Sequence, residues 1–200
     1  MRITGVIQAG GKSTRMGGEP KALLTLGGRP IIERVLGVVR AVTGEVLIVT
    51  NTPEVYAHLG LPMVPDVFPD HGSLGGIYSG LVAAPGDAAF TVACDMPFLS
   101  EDVARLVTSR AGEADVVIPQ IGGHWETLPA CYAKACLGPI ARRLRAGRLK
   151  IIGFFDEVRV LAIAEAEIAR LCDPAAVFLN VNTPDDLARA RALADSAEAR

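Results

Sequence analysis

Short apolar runs alternate with longer, more polar segments along most of the chain. Several runs are rich in valine, isoleucine and threonine, which is typical of strands buried inside a sheet. They predict strands at residues 3–9, 46–50, 88–94, 116–119, 127–132, 158–163 and 177–181, with a short extended piece at 62–65. The chain therefore supplies enough strands for one sheet.

The segments between these runs carry apolar residues at helical spacing. They predict helices at Ile31–Val42, at 74–84 after a glycine turn, and at 133–146, where the helix starts late. Ser100 is a predicted N-cap, because the acids Glu101 and Asp102 follow it in the first turn, where the helix dipole favours them. The run Thr-Pro-Asp-Asp at 183–186 opens the last helix in the same way.

Alternation of strands and helices predicts a mostly parallel sheet that is covered by helices. The chain has 200 residues, which suits one domain, and it contains no internal repeat or low-complexity linker. We therefore expect a single three-layer α/β domain over 1–200. Within it we expect a small β elaboration around 120–165 and a tail at 194–200 that frays.

Composition and charge narrow the classes of function. Half of the residues are hydrophobic and 21% are charged, so the chain can form a sizeable core. The net charge of −2 argues against a general nucleic-acid binder, which usually carries a strong basic excess. No apolar run approaches the roughly 20 residues of a membrane span, and the first run is shorter than that of a signal peptide. We expect no nucleic-acid partner, no membrane association and a cytoplasmic location.

The spacing of the cysteines does not support a metal site or a redox centre. Cys94, Cys131, Cys136 and Cys172 show no CxxC spacing, so neither a zinc site nor a dithiol motif is supported. Cys94 lies in an apolar run and is expected to be a buried thiol. Cysteines without a pattern fit a reducing compartment.

The segment QAGGKSTRMGG at 8–18 raises the question of which phosphate loop it forms. Its GKS ending matches a Walker A loop, but the opening glycine of that pattern would fall on Val6. The dinucleotide pattern GxGxxG fails as well, because its second glycine would fall on Lys12. Both common fingerprints are therefore excluded.

The segment still has the character of a phosphate site. Gly10 and Gly11 follow a strand, where backbone N–H groups can form an anion-binding concavity. The cations Lys12, Arg15 and Lys21 come next, a combination that suits a polyphosphate. A glycine-rich surface loop with solvated charges is the alternative interpretation.

Four stretches in combination resemble the nucleotidyltransferases that build activated sugars and cofactors, and among them the molybdenum cofactor guanylyltransferases. They are GVIQAGGKSTRMGGEPKALL at 5–24, LGGIYSGL at 74–81, ACDMPFLS at 93–100 and FLNVNTPDDLARA at 178–190. The resemblance implies a Rossmann-like domain that transfers GMP from Mg-GTP to the phosphate of molybdopterin and releases pyrophosphate. It implies Mg²⁺ as the cofactor, GTP and molybdopterin as substrates, and transient contact with other proteins of molybdenum cofactor biosynthesis.

The resemblance also implies where the nucleotide binds, in a half at about 1–110 that precedes an acceptor half at about 111–190. The residues lining the nucleotide would be Gln8, Ala9, Gly10, Gly11, Lys21, Asn51, Asp66, Gly75, Gly76 and Asp95. Arg15 and Lys21 match basic positions over the triphosphate, where they would neutralise the leaving pyrophosphate. Asp95 follows a buried strand, where a carboxylate could hold Mg²⁺. The catalytic residues would thus be Arg15, Lys21 and Asp95, although Asp95 could instead cap the next helix.

The remaining assignments have equally simple structural alternatives. Asn51 and Asp66 match positions near the guanosine, and turn formation by their own side chains would also explain them. Asn180 and Asn182 match asparagines near the reacting phosphate and are assigned to the acceptor. The stretch His124-Trp125-Glu126-Thr127 falls where the family has a turn near the pterin acceptor, and Trp125 could stack on a pterin or pack as an ordinary aromatic. The basic run at 141–150 could steer the acceptor's phosphate or form a solvated helix face.

Some positions depart from the guanylyltransferase pattern and keep other functions open. Pro20 before Lys21 is more typical of the cytidylyltransferases for the same cofactor, and Gln8 replaces the commoner leucine. The alternatives are transfer of CMP to molybdopterin, transfer of a nucleotide to a sugar phosphate, and a non-catalytic nucleotide-binding scaffold or sensor. Retention of Arg15, Lys21 and Asp95 together argues against the scaffold.

Overall fold

A mixed sheet of eight strands organises the molecule in this computed structural model, which describes residues 1–10 and 20–198. The strands are β1 (Ile3–Gln8), β2 (Thr25–Leu26), β3 (Arg29–Pro30), β4 (Glu45–Val49), β5 (Met63–Val64), β6 (Ala88–Ala93), β7 (Val116–Ile121), β8 (His124–Trp125), β9 (Ala130–Ala133) and β10 (Val160–Ala164). Strands β2 and β3 form a separate antiparallel pair.

Eight α-helices accompany the strands in the described part of the chain. They are α1 (Ile31–Val42), α2 (Pro53–Tyr56), α3 (Gly72–Ala83), α4 (Glu101–Ser109), α5 (Leu137–Arg145), α6 (Glu165–Ile168), α7 (Pro174–Val177) and α8 (Pro184–Glu198). Short 3-10 helices occur at Lys21–Leu23, Ala57–Leu59, Lys134–Cys136 and Ile151–Glu157. None of the helices in 1–10 and 20–198 has the length and apolar character that a membrane span requires.

The strand order is β10-β7-β9-β6-β1-β4-β5, and β8 pairs with β7 at the edge of this path. All neighbours along it are parallel except β9, which runs antiparallel to both β6 and β7. The mostly parallel α/β fold and its β elaboration around 120–165 are therefore confirmed. Because β1, β4, β5 and β6 run in one direction, their carboxyl ends meet at one edge of the sheet, where open α/β folds bind their ligands.

The sheet separates two hydrophobic cores, which makes three layers. Side chains alternate along β1, so that Ile7 faces the core containing α1, α4 and α8 while Val6 faces the core containing α3 and α5. Glycine allows helices to approach β1 on both sides. A Cβ at Gly5 would lie 2.7 Å from Thr43 Oγ1 and closer still to Val39 Cγ1. On the other face a Cβ at Gly80 of α3 would collide with Val6.

An ion pair fixes the outermost parallel strand. Asp115 precedes β7 and Arg159 precedes β10; the Arg159 backbone N–H donates to Asp115 Oδ2 at 2.9 Å and its Nη2 donates to Oδ1 at 3.2 Å. The hydrogen bonds from Arg159 lower the pKa of the Asp115 carboxyl. This contact lies at the start of the pairing between β7 and β10, just before Val116 pairs with Val160.

The strand predicted at 177–181 is wrong. The structure has α7 there, capped by Asp173, whose side chain accepts from the Ala175 N–H, and then a segment outside the sheet. Val177, Leu179 and Val181 are nevertheless buried. The alternating apolar residues of this segment therefore pack onto the core without belonging to a strand, although such alternation usually indicates one.

Two other boundaries shift for local reasons. The strand predicted at 127–132 begins only at Ala130, after Pro129, which has no N–H to donate to a ladder. The helix predicted at 133–146 does start late, since a 3-10 turn at Lys134–Cys136 precedes α5. Ser100 caps α4 as predicted, accepting from the Val103 N–H at 3.5 Å.

The close approach of α1 to β1 predicts opposite effects for two glycine substitutions. Gly5→Ala should lower the free energy of unfolding by about 1–3 kcal/mol, because the new methyl group overpacks against Val39 and Thr43. Gly37→Ala, on the exposed face of α1, should raise it by roughly 0.5–1 kcal/mol, because alanine favours the helix. Urea unfolding of both variants measures the difference, and equal midpoints would contradict this packing.

Candidate active site

Backbone hydrogen bonds continue beyond the ends of the parallel strands and align the loops that follow. The Ala9 N–H donates to Val49 O at 2.9 Å, and the Cys94 N–H donates to Gln8 O at 3.1 Å. The Val181 N–H then donates to Asp95 O at 2.9 Å. These bonds bring the residues after β1 and β6 beside the segment that precedes α8.

A cavity of about 320 Å³ opens at this edge of the sheet. The described residues that line it are Gln8, Gly10, Lys21, Ser73, Ala93, Cys94, Asp95, Trp125, Glu126, Thr127, Leu128, Asn180 and Asn182. Six of these were assigned to the site from the sequence: Gln8, Gly10, Lys21, Asp95, Asn180 and Asn182. Ala9 is buried beside them. Gly11 and Arg15 lie outside the described residues.

Lys21 and Asp95 form the charged centre of the cavity. Lys21 Nζ contacts Asp95 Oδ2 and donates to Asn182 Oδ1 at 2.7 Å. The Asp95 side chain is only 8% exposed, so its pairing with Lys21 offsets part of the cost of burying a carboxylate. Three segments that are far apart in sequence therefore converge on one lysine.

The second carboxylate oxygen of Asp95 is available to a cation as far as the described residues go. Asp95 Oδ1 is buried and has no hydrogen-bond partner among the described residues, an arrangement that is costly unless a ligand satisfies it. The same part of the chain contains no group of three acidic, histidine or cysteine side chains placed to hold a metal. This donor set fits Mg²⁺, which commonly uses one or two carboxylates and takes its other ligands from phosphates and water.

The segment before α8 positions both asparagines. Asn180 Nδ2 donates to Phe178 O at 3.1 Å, and the Asn182 N–H donates to Asp186 Oδ2 at 3.0 Å. Asp186 also accepts from the N–H and hydroxyl of Thr183, and these hydrogen bonds lower the pKa of its carboxyl. Thr183 and Asp186 therefore cap the helix, as the sequence predicts.

Asn51 and Asp66 form a second polar cluster, and neither is among the described residues lining the cavity. Asn51 Nδ2 donates to Asp66 Oδ2 at 3.1 Å, while the Asp66 N–H donates to Asn51 Oδ1 at 2.9 Å. Ser79 joins the cluster, since its Oγ lies 3.4 Å from Asp66 Oδ1 and accepts from the Val67 N–H. The loops after β4 and β5 are thus tied to each other and to α3.

Ser79 is a residue that the sequence analysis missed. Its hydroxyl also donates to the Gly75 carbonyl at 2.8 Å, so it links Asp66 to the start of α3. The available signal was a serine in the otherwise apolar and glycine-rich buried face of α3, since buried polar groups are usually hydrogen-bonded.

Close packing around Gly75 and Gly76 leaves little room for a side chain at either position, independently of any ligand. A Cβ at Gly76 would lie 2.6 Å from Gln8 Cδ, and one at Gly75 would lie 3.1 Å from Phe68 O. The missing side chain of Gly76 leaves room for the Gln8 carboxamide, whose Nε2 donates to Ser73 O at 3.3 Å. Gly76 therefore shapes the wall of the cavity through Gln8, whereas Gly75 allows the close approach of the Phe68 carbonyl and His71.

Cys94 lines the cavity but is not a nucleophile. Burial raises the pKa of its thiol to about 12, and the neighbouring Asp95 acts in the same direction. The thiol is buried, as the sequence predicts, and stays protonated at neutral pH.

A neighbouring cavity of about 360 Å³ shares Ser73 and Thr127 with the first. Its other lining residues are His71, Gly72, Leu74, Leu149, Lys150, Ile151 and Ile152. The basic run at 141–150 is therefore partly structural and partly exposed to this space. Arg142 pairs with Glu157, and Arg143 Nη1 donates to Gly153 O at 2.7 Å, whereas Lys150 lines the cavity.

Comparison with known proteins gives one consistent result. A family model described as a MobA-like NTP transferase domain matches residues 5–160. A probable molybdenum cofactor guanylyltransferase of Pelotomaculum thermopropionicum is 42% identical, over 98% of this chain and 95% of that protein. A molybdenum cofactor guanylyltransferase of Desulfosudis oleivorans is 40% identical, over 95% of each.

The fold agrees with a solved structure. Molybdopterin-guanine dinucleotide biosynthesis protein A of Archaeoglobus fulgidus superposes with a TM-score of 0.83 at 24% identity, over 96% of this chain and 99% of that one. The strand order, the polar residues at the carboxyl ends of the strands and the extent of the sequence match lead to the same assignment. The chain belongs to the family of MobA-like NTP transferase domains.

Proposed function

We propose that this protein transfers GMP from Mg-GTP to the phosphate of molybdopterin, releasing pyrophosphate and forming molybdopterin guanine dinucleotide. The observation that carries the proposal is the convergence of Lys21, Asp95 and Asn182 at the carboxyl edge of the sheet, with one oxygen of Asp95 left for a cation. The names of the relatives that are 42% and 40% identical support the choice of substrates. The compartment proposed for this reaction is the cytoplasm.

Lys21 carries the electrostatic part of the mechanism. Its ammonium group lies inside the cavity, where it can neutralise charge that develops on the phosphates as pyrophosphate leaves. Arg15, which lies outside the described residues, is proposed to act with it. Asn182 holds the Lys21 ammonium from the other side, so the lysine is oriented before a substrate binds.

Asp95 is the proposed ligand of Mg²⁺. A bound magnesium ion would polarise the phosphate oxygens and neutralise part of their charge. Backbone hydrogen bonds fix the position of Asp95. Its carbonyl accepts from the Val181 N–H, and the N–H of the preceding residue, Cys94, donates to Gln8 O at the end of β1.

The acceptor needs no side-chain base. The second pKa of a phosphate monoester lies near 6, so the attacking phosphate is already largely ionised at pH 7. Catalysis then rests on positioning and on charge stabilisation, which dominate phosphoryl-type transfers. Asn180 and Asn182 supply amide groups at the cavity where that phosphate would bind.

In this proposal the first half of the chain binds the nucleotide and the second half binds the acceptor. Gln8, Ala9 and Gly10 would line the nucleotide together with Gly11, which lies outside the described residues. The cluster of Asn51 and Asp66 would lie on the guanosine side of the nucleotide, reached past Gly75 and Gly76. Residues from about 111 to 190 would bind the acceptor, because the loop after β8 and the segment before α8 both line the cavity. Proteins that supply molybdopterin remain expected transient partners.

Replacing Asp95 tests the catalytic part of the proposal. Asp95→Asn should lower kcat/KM for GMP transfer by at least about a hundredfold, because the amide is a poor magnesium ligand and no longer pairs with Lys21. Pyrophosphate release in Mg²⁺ with GTP and molybdopterin measures it. Asp102→Asn, an exposed acid in the first turn of α4, is the matched control and should keep full activity.

The same assay separates an enzyme from a scaffold. A wild-type protein that binds Mg-GTP but releases no pyrophosphate with molybdopterin would overturn the transfer. An Asp95→Asn variant that stays active in Mg²⁺ would overturn the assignment of the metal site alone.

Nucleotide preference tests the choice of GMP. Calorimetric titration with GTP, CTP and ATP, each with Mg²⁺, should give a dissociation constant for GTP at least about tenfold below the others. The reason is that a site selective for guanine forms hydrogen bonds with the guanine edge that cytosine and adenine cannot form. A preference for CTP would assign the protein to CMP transfer and make Pro20 before Lys21 the informative departure. Failure to bind any of the three would contradict nucleotidyl transfer.

A further inference from the structure

Glu126 is a half-buried carboxylate in the active-site cavity for which the proposed chemistry has no task. Its backbone N–H donates to Pro119 O at 2.9 Å, which fixes the chain just after β8. Its side chain lines the same cavity as Asp95, Lys21 and Asn180. Among the described residues it has neither an ion pair nor a side-chain hydrogen bond, so its acceptor oxygens are available to a ligand.

Burial gives this carboxylate a preference for hydrogen-bond donors. Desolvation raises the pKa of the Glu126 carboxyl, and His124 offsets this only in part. A partly desolvated carboxylate is stabilised by hydrogen-bond donors that replace the water molecules it has lost. A phosphate cannot supply them, because it offers only acceptor oxygens and carries the same charge.

Trp125, next to Glu126, is a fixed part of the same wall. Its ring packs edge-to-face on Phe155 with centroids 5.6 Å apart, and Phe155 packs in the same way on Phe154 at 5.2 Å. Phe154 is fully buried, so this aromatic row anchors the wall to the core beneath. The wall therefore combines an aromatic surface with a carboxylate, and both line the cavity.

This combination suits a flat heterocycle that has two hydrogen-bond donors side by side. A pterin has such an edge, formed by its N3–H and its 2-amino group, and a carboxylate can accept from both at once. Guanine has a similar edge. The wall, however, belongs to β8 and the loop that follows it, whereas the residues proposed for the nucleotide lie at the ends of β1, β4, β5 and β6 or in α3.

We infer that Glu126 is a specificity residue for the acceptor: its carboxylate accepts the paired N3–H and 2-amino hydrogens of the pterin, whose ring lies in the cavity beside Trp125. The inference rests on the proposed function, since it takes molybdopterin as the acceptor. It gives Glu126 a contact with the substrate that is separate from the phosphate chemistry at Lys21 and Asp95.

Glu126→Gln is the sharpest test because it keeps the shape of the side chain. The carboxamide oxygen can accept only one of the two pterin hydrogens. The carboxamide NH₂ group then faces the other pterin donor, so two donors meet without an acceptor. We expect KM for molybdopterin to rise at least about tenfold, with kcat at saturating acceptor within about threefold of wild type and the dissociation constant of Mg-GTP unchanged. Glu101→Gln, an exposed glutamate on α4, is the control and should change none of these.

A pair of competing ligands tests the contact itself. Lumazines carry a 2-oxo group where pterins carry the 2-amino group, so their edge presents one acceptor and one donor, which matches glutamine instead of glutamate. With 6-hydroxymethylpterin phosphate and its lumazine counterpart as inhibitors, the wild type should prefer the pterin by about tenfold. Glu126→Gln should lose or reverse that preference, which a merely structural role for Glu126 would leave unchanged.

The outcomes distinguish this inference from the proposed function. If the wild type transfers GMP but Glu126→Gln keeps the wild-type KM and ligand preference, the inference is wrong and the proposed function stands. If the variant weakens Mg-GTP binding instead, Glu126 belongs to the nucleotide and the inference is again wrong. If the wild type transfers nothing to molybdopterin, the proposed function and the inference both fail.

Discussion

The active site depends on backbone hydrogen bonds that extend the parallel sheet past its own strands. The bond from Cys94 to Gln8, the last residue of β1, and the bond from Val181 to Asp95 place the segments after β6 and before α8 beside the end of β1. Backbone groups at the end of a sheet must find partners, and here they find one another. Asp95 thus lies at the meeting point of the segments after β6 and before α8, with Lys21 of a third segment against it.

Close packing sets the second constraint. Gly5 lets α1 approach β1 on one face, while Gly76 and Gly80 let α3 approach it on the other. Two of the glycine-rich stretches that resemble a nucleotide-binding pattern therefore also have a purely structural reason to lack side chains. A glycine in such a motif can be required by the fold and by a ligand together, and Gly76 is an example, because the space it leaves holds the Gln8 side chain that lines the cavity.

The sequence predicts most of the fold because its periodicities are strong and local. The helix Ile31–Val42 and the strands around residues 3–9 and 88–94 follow directly from apolar spacing. The failure at 177–181 has a physical cause: alternate apolar residues can be buried by packing against helices and sheet without a neighbouring strand, and a single sequence does not distinguish the two. Pairing partners depend on contacts between residues far apart in the chain.

The candidate site is predictable in part for the same reason. Polar residues that follow parallel strands must meet at one edge, so a convergence of Gln8, Gly10 and Asp95 could be expected. The contact of Lys21 with Asn182 could not, since 161 positions separate them. For Glu126 the resemblance placed the stretch 124–127 near the acceptor, but residue patterns alone could not, because Glu126 lies in the antiparallel elaboration, where strand direction no longer indicates which end faces the ligand.

Electrostatics explain why the cavity can exist before any substrate binds. A carboxylate that is 8% exposed would be costly if it were unpaired, and the Lys21 ammonium offsets that cost while remaining 23% exposed itself. Removing one partner of such a pair leaves a buried charge uncompensated, so the loss of either residue alone destabilises the folded state. Glu126 differs, because no described residue forms an ion pair with it, and burial raises the pKa of its carboxyl with only partial compensation from His124. The same cavity therefore holds one carboxylate that is paired with a lysine and one that is left to be satisfied by donors from a ligand.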